Sequence, residues 1–362
     1  MLCHQSTGRY EVGIKAKRGD YMRIKRTIRV LVVDDSVVFR ELLSRGISSE
    51  PGIEVVATAK DPFDARDKIL QFEPDVMTCD VEMPKMNGIE FIRRLIPQYP
   101  IPVIVVSSVS SAVFEAMDAG AVDFVVKPYM GEKKSLERFI YDMIEKIKIA
   151  STAKIVQNAA KSSVYSNSVN ESFDASKIIA IGASTGGTEA ISKILKNMPA
   201  KIPGMVIVQH IPPVFSRLFA ERLNTSTNLN VKEAQNGDYV EQGKVLIAPG
   251  DKHMRIRKIS GRYRVECFKG DKVNGHCPSV DVLFESVAKV AGKDAVGVIL
   301  TGMGYDGAKG LLAMKRNGAQ TIGQDENSSV VYGMPKVAYN IGAVSKQVSL
   351  DKIAASILEM LK

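Results

Sequence analysis

Cysteine and histidine are scarce in this chain. Cys3, Cys79, Cys267 and Cys277 are all the cysteines in 362 residues, and there are only four histidines. No pair of cysteines has a disulfide or metal spacing, and no His–Cys combination suits zinc. The reading is reduced thiols in a cytoplasmic protein. No stretch is long and apolar enough to span a bilayer. The N-terminus has no apolar signal core, so secretion is not expected.

Basic residues are in excess, with a formal charge of +9. Their location argues against nucleic acid. Residues 1–29 hold eight Lys and Arg against two acids, a net +6, which leaves +3 for everything else. There is no basic stripe interleaved with aromatics. Residues 1–27 lack hydrophobic periodicity and read as a disordered basic arm, of which residues 1–21 are expected to be dispensable.

What the chain does have is strand–helix alternation, twice. Between Ile28 and about Ala150, five apolar strands alternate with five helices. That pattern predicts a parallel sheet covered on both faces. Residues 151–176 are rich in Ser and Asn and read as a flexible linker. From Lys177 to the end the alternation resumes. The expectation is an α/β protein of two domains, 28–150 and 177–362.

In the first half, Asp34, Asp35 and Asp80 each follow an apolar strand directly, and so do Ser107 and Lys127. Strand ends of a parallel sheet cluster at its carboxyl edge. Three carboxylates at one point repel unless a hard cation such as Mg²⁺ lies among them. A hydroxyl and an ammonium opposite suit phosphoryl oxygens. The bland alternative, acidic helix caps, explains Asp34 or Asp35 singly but not Lys127-Pro128.

The motifs VLVVDDS, MTCDVEMPKMNG, VIVVSS and GAVDFVVKP resemble the response-regulator receiver domain, a flavodoxin-like five-stranded parallel sheet. The resemblance implies that Asp80 accepts a phosphoryl group from a histidine kinase. It implies that Asp34, Asp35 and Asp80 hold Mg²⁺, and that Ser107, Lys127 and Phe124 form the switch. The stretch after Ser107 departs from the family by being short.

In the second half, the apolar run Ile178–Ile181 ends in Gly182-Ala183-Ser184-Thr185-Gly186-Gly187. A strand, tight turn and helix would leave Ser184 in the open, with helix N–H groups facing it. By itself such a turn is more often a phosphate cradle. His210 and Asp306 also follow apolar strands, in turns marked by proline or glycine. On one carboxyl edge, serine could attack, histidine could move the proton, and aspartate could fix the imidazole. Each has an ordinary structural reading as a turn residue. His4, His253 and His276 are weaker candidates, the last two because they follow loops.

The segments GASTGG, VIVQHIPPVF, LIAPGDKHM, HCPSVDVLF, AVGVILTGMGYDGAKGL and VVYGMPKVA resemble the catalytic domain of chemotaxis protein-glutamate methylesterases, the CheB family. The resemblance implies a three-layer α/β/α domain with a mainly parallel sheet. It implies hydrolysis of glutamyl methyl esters on methyl-accepting chemoreceptors, with methanol released, and deamidation of receptor glutamines. The triad would be Ser184, His210 and Asp306, with Thr185 and Met303 in the active-site shell. The esterase step would need no cofactor. The partners implied are a chemotaxis kinase and the receptors' cytoplasmic domains; a monomer without membrane insertion is expected. The rival reading is a phosphorylation-controlled module that binds a nucleotide at GASTGG without catalysis.

Overall fold

The computed structural model describes residues 26–108, 110–128, 133–155 and 173–362. The arm up to residue 25 and the linker residues 156–172 lie outside the described residues. The first unit consists of β1 (Ile28–Val33), α1 (Val37–Ser48), β2 (Ile53–Ala59), α2 (Pro62–Phe72), β3 (Val76–Asp80), α3 (Gly88–Leu95), β4 (Val103–Ser107), α4 (Ser110–Asp118), β5 (Asp123–Val126) and α5 (Lys133–Ala150). Its strands form one parallel sheet in the order β2-β1-β3-β4-β5. The order reverses beside β1, so the carboxyl ends of β1 and β3 open a crevice there. Local chemistry explains the helix starts. Ser36 caps α1 through Phe39 N–H, and Asp61 caps α2 ahead of Pro62. The short stretch after Ser107 still forms α4.

The second unit runs through β6 (Ile178–Ala183), α6 (Gly187–Lys196), β7 (Met205–Gln209), α7 (Phe215–Ser226), β8 (Asn230–Glu233), β9 (Lys244–Ile247), β10 (His253–Ile259), β11 (Arg262–Phe268), α8 (Val280–Val290), β12 (Ala295–Ile299), α9 (Ala308–Arg316), β13 (Gln320–Gln324), α10 (Met334–Asn340), β14 (Lys346–Val348) and α11 (Leu350–Leu361). Seven strands pair in parallel in the order β14-β13-β12-β6-β7-β9-β8, and β10 and β11 form a separate antiparallel hairpin. The central β6 shows why both faces are covered. Ile178 and Ala180 join the core beside α8 and α9, whereas Ile179 and Ile181 join the opposite core beside α6, α7 and α11. Side chains alternate across a strand, so a wholly apolar strand needs an apolar layer on each side.

The two units share one apolar cluster. Phe114 of α4 stacks on Phe219 of α7, with ring centroids 5.7 Å apart, and Phe124 of β5 meets Phe215 at 4.8 Å. Arg222 of α7 pairs with Asp118 and lies over the Phe114 ring. The backbone N–H of Lys154 donates to Val330, and its ammonium pairs with Glu326. This seam brings the carboxyl edge of the second sheet against β5 of the first.

Phe284 of α8 has no solvent exposure and fills the core beneath the strand ends of β6 and β12. Phe284→Ala should cost about 3–5 kcal/mol from lost burial and the cavity left behind. Urea unfolding, read as a lower midpoint at unchanged slope, measures it.

Candidate active site and receiver pocket

Ser184 sits between β6 and α6, in a turn where Gly186 has φ +76°. A Cβ at Gly186 would stand 2.7 Å from the Cβ of Val330, so the turn needs glycine for both conformation and space. Gly302, after β12, leaves space for the turn from the other side. A Cβ there would be 2.6 Å from the Cβ of Ser184. The Ser184 N–H donates to the Thr301 carbonyl, and its own carbonyl accepts from Gly187 N–H and Gln209 Nε2. Ser184 is therefore held by its backbone while its side chain stays partly exposed.

His210 follows β7 and Asp306 precedes α9, as the strand pattern implies. His210 Nε2 lies 2.9 Å from Asp306 Oδ2. Asp306 is 1% exposed and accepts from four further donors. These are Asn274 Nδ2 at 2.8 Å, Ser279 Oγ at 2.8 Å, Val280 N–H at 2.7 Å and Asp281 N–H at 3.3 Å. Two of them are backbone N–H groups at the start of α8, where a helix favours negative charge. Burial pushes the Asp306 carboxyl towards protonation, but His210, Asn274 and Val280 outweigh it and hold the pKa far below the usual range. Asp306 is therefore ionised and only accepts, so His210 Nε2 carries the proton and the lone pair of the neutral ring is on Nδ1. His210 Nδ1 is buried and makes no hydrogen bond among the described residues. Ser184 lines the same small cleft but is not bonded to that nitrogen here. Such contacts often close only when substrate is bound.

The expected shell residues separate. Met303 is 44% exposed on the segment between Gly302 and Asp306. Thr185 is buried, and its hydroxyl donates to Asp123 of the first unit at 2.8 Å. The cleft is thus walled by Ser184, Thr185 and His210 on one side and by Asp123, Phe124 and Lys146 on the other. Its free volume is about 20 Å³. That holds a water molecule, not a glutamyl side chain.

His253, which follows a loop, opens β10 and is 2% exposed. Its Nε2 meets the Asp271 carbonyl at 2.8 Å and its Nδ1 accepts from Ser279 N–H at 3.2 Å. It is a satisfied core histidine supporting the Asp306 shell. Nothing in the sequence marks Asn274, Ser279 or Gln209 as parts of the site. The Asn-Gly pair at 274–275 signals a tight turn and Ser279 a helix cap, but neither says which carboxylate it serves.

In the first unit, Asp34 and Asp80 are buried, Asp35 is exposed, and one carboxylate oxygen from each lies within 4.8 Å of the others. Lys127 Nζ reaches Asp80 Oδ2 at 2.6 Å and Asp34 Oδ2 at 2.9 Å. Burial pushes Asp80 up to about 6, opposed by Lys127 and aided by Asp34. Burial disfavours the Lys127 charge, yet its bonds to Asp80 and Asp34 hold its pKa above the ordinary lysine value. One ammonium leaves three acids under-neutralised, and an all-oxygen donor set of this kind suits a hard divalent cation. Ser107 is buried at the end of β4 beside Asp80's strand, and Phe124 is 5% exposed.

A crevice of acids and lysine on a receiver sheet, coupled to a Ser/His/Asp edge on a second parallel sheet, defines a response-regulator-linked α/β hydrolase. The comparisons are specific. The CheB methylesterase family profile matches residues 179–357, and the response regulator receiver domain matches 30–138. A protein-glutamate methylesterase/protein-glutamine glutaminase from Syntrophomonas wolfei is 57% identical over 340 residues, 94% of this chain and 99% of the relative. One from Salmonella typhi is 47% identical over 335 residues, 91% of this chain and 96% of the relative. The crystal structure of the Thermotoga maritima CheB methylesterase catalytic domain covers 51% of this chain and 98% of its own, with TM-score 0.50 and 38% identity. The chain belongs to the CheB family of receiver-linked methylesterases.

The raised Asp80 pKa has a consequence for stability. In the folded state this carboxyl ionises only near pH 6, later than in the unfolded chain. Without a cation, stability should therefore fall as pH rises from about 4 to 6. Asp80→Asn should raise the melting temperature at pH 8 by a few degrees, about 2–5 °C. The gain should shrink towards pH 4 and with Mg²⁺, as differential scanning calorimetry would show.

Proposed function

We propose that this chain hydrolyses glutamyl methyl esters on chemoreceptors, releasing methanol, deamidates receptor glutamines by the same route, and is switched on by phosphorylation of Asp80. The observation that carries the reading is the Asp306–His210 pair in the cleft of Ser184, closed over by the receiver. A nucleotide cradle at the glycine turn has no use for that pair.

Ser184 Oγ attacks the ester carbonyl as its proton passes to His210 Nδ1. Asp306 stabilises the resulting imidazolium through Nε2–H. At the turn, the N–H groups of Ser184 and Gly187 are spent on carbonyls; Thr185 and Gly186 supply the oxyanion donors. Nδ1–H protonates the departing methoxide, or the amide nitrogen of a glutamine. Water, deprotonated by the same nitrogen, then releases the glutamate and frees Ser184.

In the receiver, Asp34, Asp35 and Asp80 would hold Mg²⁺, which neutralises charge on the incoming phosphoryl group. Asp80 accepts that group from a histidine kinase, with Lys127 and Ser107 on its oxygens. Phe124 connects this event to the cleft, because it packs on Phe215 and its neighbour Asp123 binds Thr185. Displacing Phe124 loosens both contacts and biases the pair of domains towards an open arrangement. On this reading the chain divides into a basic arm at 1–27, a receiver at 28–150, a linker at 151–176 and the esterase at 177–362, and acts as a cytoplasmic monomer.

Ser184→Ala should lower methanol release from methylated receptor membranes at least ~10³-fold without changing the fold. Near-wild-type release by the folded variant would refute the triad. Asp123→Ala removes the charge-assisted bond to Thr185, typically about 1.5–3 kcal/mol. Basal release without phosphodonor should rise about tenfold, with the gain from acetyl phosphate and Mg²⁺ reduced to match. A basal rate that does not change would show that this contact is not part of the closure.

A further inference from the structure

We propose that His276 is a positioning residue of the triad: its imidazole lies flat on that of His210 and fixes the plane in which His210 meets Ser184. The inference rests on the reading of Ser184, His210 and Asp306 as the esterase triad. The ring centroids are 3.7 Å apart and the rings are inclined by 10°. Aromatic pairs more often stand 4.5–7 Å apart. This is full face-to-face contact.

The contact is built by the backbone. Val273 and His276 exchange two hydrogen bonds of 3.0 Å, each donating its N–H to the other's carbonyl. Between them, Asn274 and Gly275 have φ of +53° and +84°. That is a two-residue hairpin with both central residues in the left-handed region, the conformation that Asn-Gly favours. The same turn directs the Asn274 amide to Asp306 and Asp281. One short hairpin thus touches two of the three triad members.

His210 needs such a partner. Among the described residues its ring has a single hydrogen bond, Nε2 to Asp306, and Nδ1 has none. A ring held by one bond can rock about that bond, and rocking swings Nδ1 away from the serine. A site of this kind works only within about 0.5 Å and 10–20° of its productive geometry. A flat neighbour opposes the rocking without competing for either nitrogen. His276 also stays neutral while His210 takes up a proton. Burial and the adjacent His210 keep its pKa at about 4. The imidazolium formed during the reaction therefore faces no second cation.

The test uses the full chain, activated with acetyl phosphate and Mg²⁺, on methylated receptor membranes. His276→Ala should lower kcat by about 10–100-fold with KM within about twofold. His276→Phe keeps a flat face and should recover kcat to within about threefold of wild type, whereas His276→Leu, of similar bulk without that face, should stay as slow as Ala. Proton NMR adds a readout that mere loss of packing would not move. The downfield proton between His210 Nε2 and Asp306 should be sharp in wild type and His276→Phe, and broadened in His276→Ala and His276→Leu. If His276→Ala misfolds, the Phe and Leu variants decide. A Phe variant as slow as Leu, or a Leu variant as fast as wild type, overturns the proposal. His210→Ala is measured alongside. If it is inactive while His276→Ala has wild-type kcat, only the positioning role fails; if His210→Ala retains activity, the triad reading fails with it.

Discussion

Asp306 is a charged group almost wholly removed from water, and much of the second unit is arranged to make that tolerable. An unpaired buried carboxylate would cost several kcal/mol or take up a proton. Here the first N–H groups of α8, a capping serine, an asparagine amide and a histidine converge on it. Together the donors tie down three segments. Val280 fixes where α8 begins, Asn274 fixes the hairpin at 273–276, and His210 fixes the end of β7. The support reaches one layer further, since Ser279 donates its hydroxyl to Asp306 while its N–H is held by the buried His253. The site is rigid because a single ionised group has to be satisfied from several directions at once.

The receiver meets this edge beside the cleft through Asp123 and Phe124. Phe124 lies between Asp123, which binds Thr185 next to the nucleophile, and the strand end that leads to Lys127. Lys127 in turn bridges Asp80 and Asp34. A charge added at Asp80 competes for Lys127, and the path from there to Thr185 runs along four residues of one strand. Coupling over so short a distance needs no large rearrangement within either core. Apolar packing of Phe114 on Phe219 and the Arg222–Asp118 pair add attraction at the seam without touching either pocket.

Much of this protein was legible in the residue order. Wholly apolar strands such as Ile178–Ile181 and Val103–Val106 declared buried parallel sheets, because alternating faces that are both apolar must both be covered. The positions of Asp34, Asp80, Ser184 and His210 just after such strands placed them on carboxyl edges, since parallel strands all end on the same side. Glycine marked the turn at 186 because few other residues accept its φ and its closeness to Val330. The nearness of Asp306 to His210 was an inference from topology, and the tertiary structure gave it a distance. What remained beyond the sequence depended on contacts between segments far apart in the chain. Thr185 reads as an active-site residue and does line the cleft, but only the tertiary structure shows its hydroxyl bound to Asp123, 62 positions away. His276 reads as a histidine that follows a loop, and only the tertiary structure shows a tight hairpin laying it on His210. Periodicity and turn chemistry act over a few residues and are therefore written locally. Which side chain covers which, across a seam or over a ring, is decided only when the two cores and the Asp306 shell have packed.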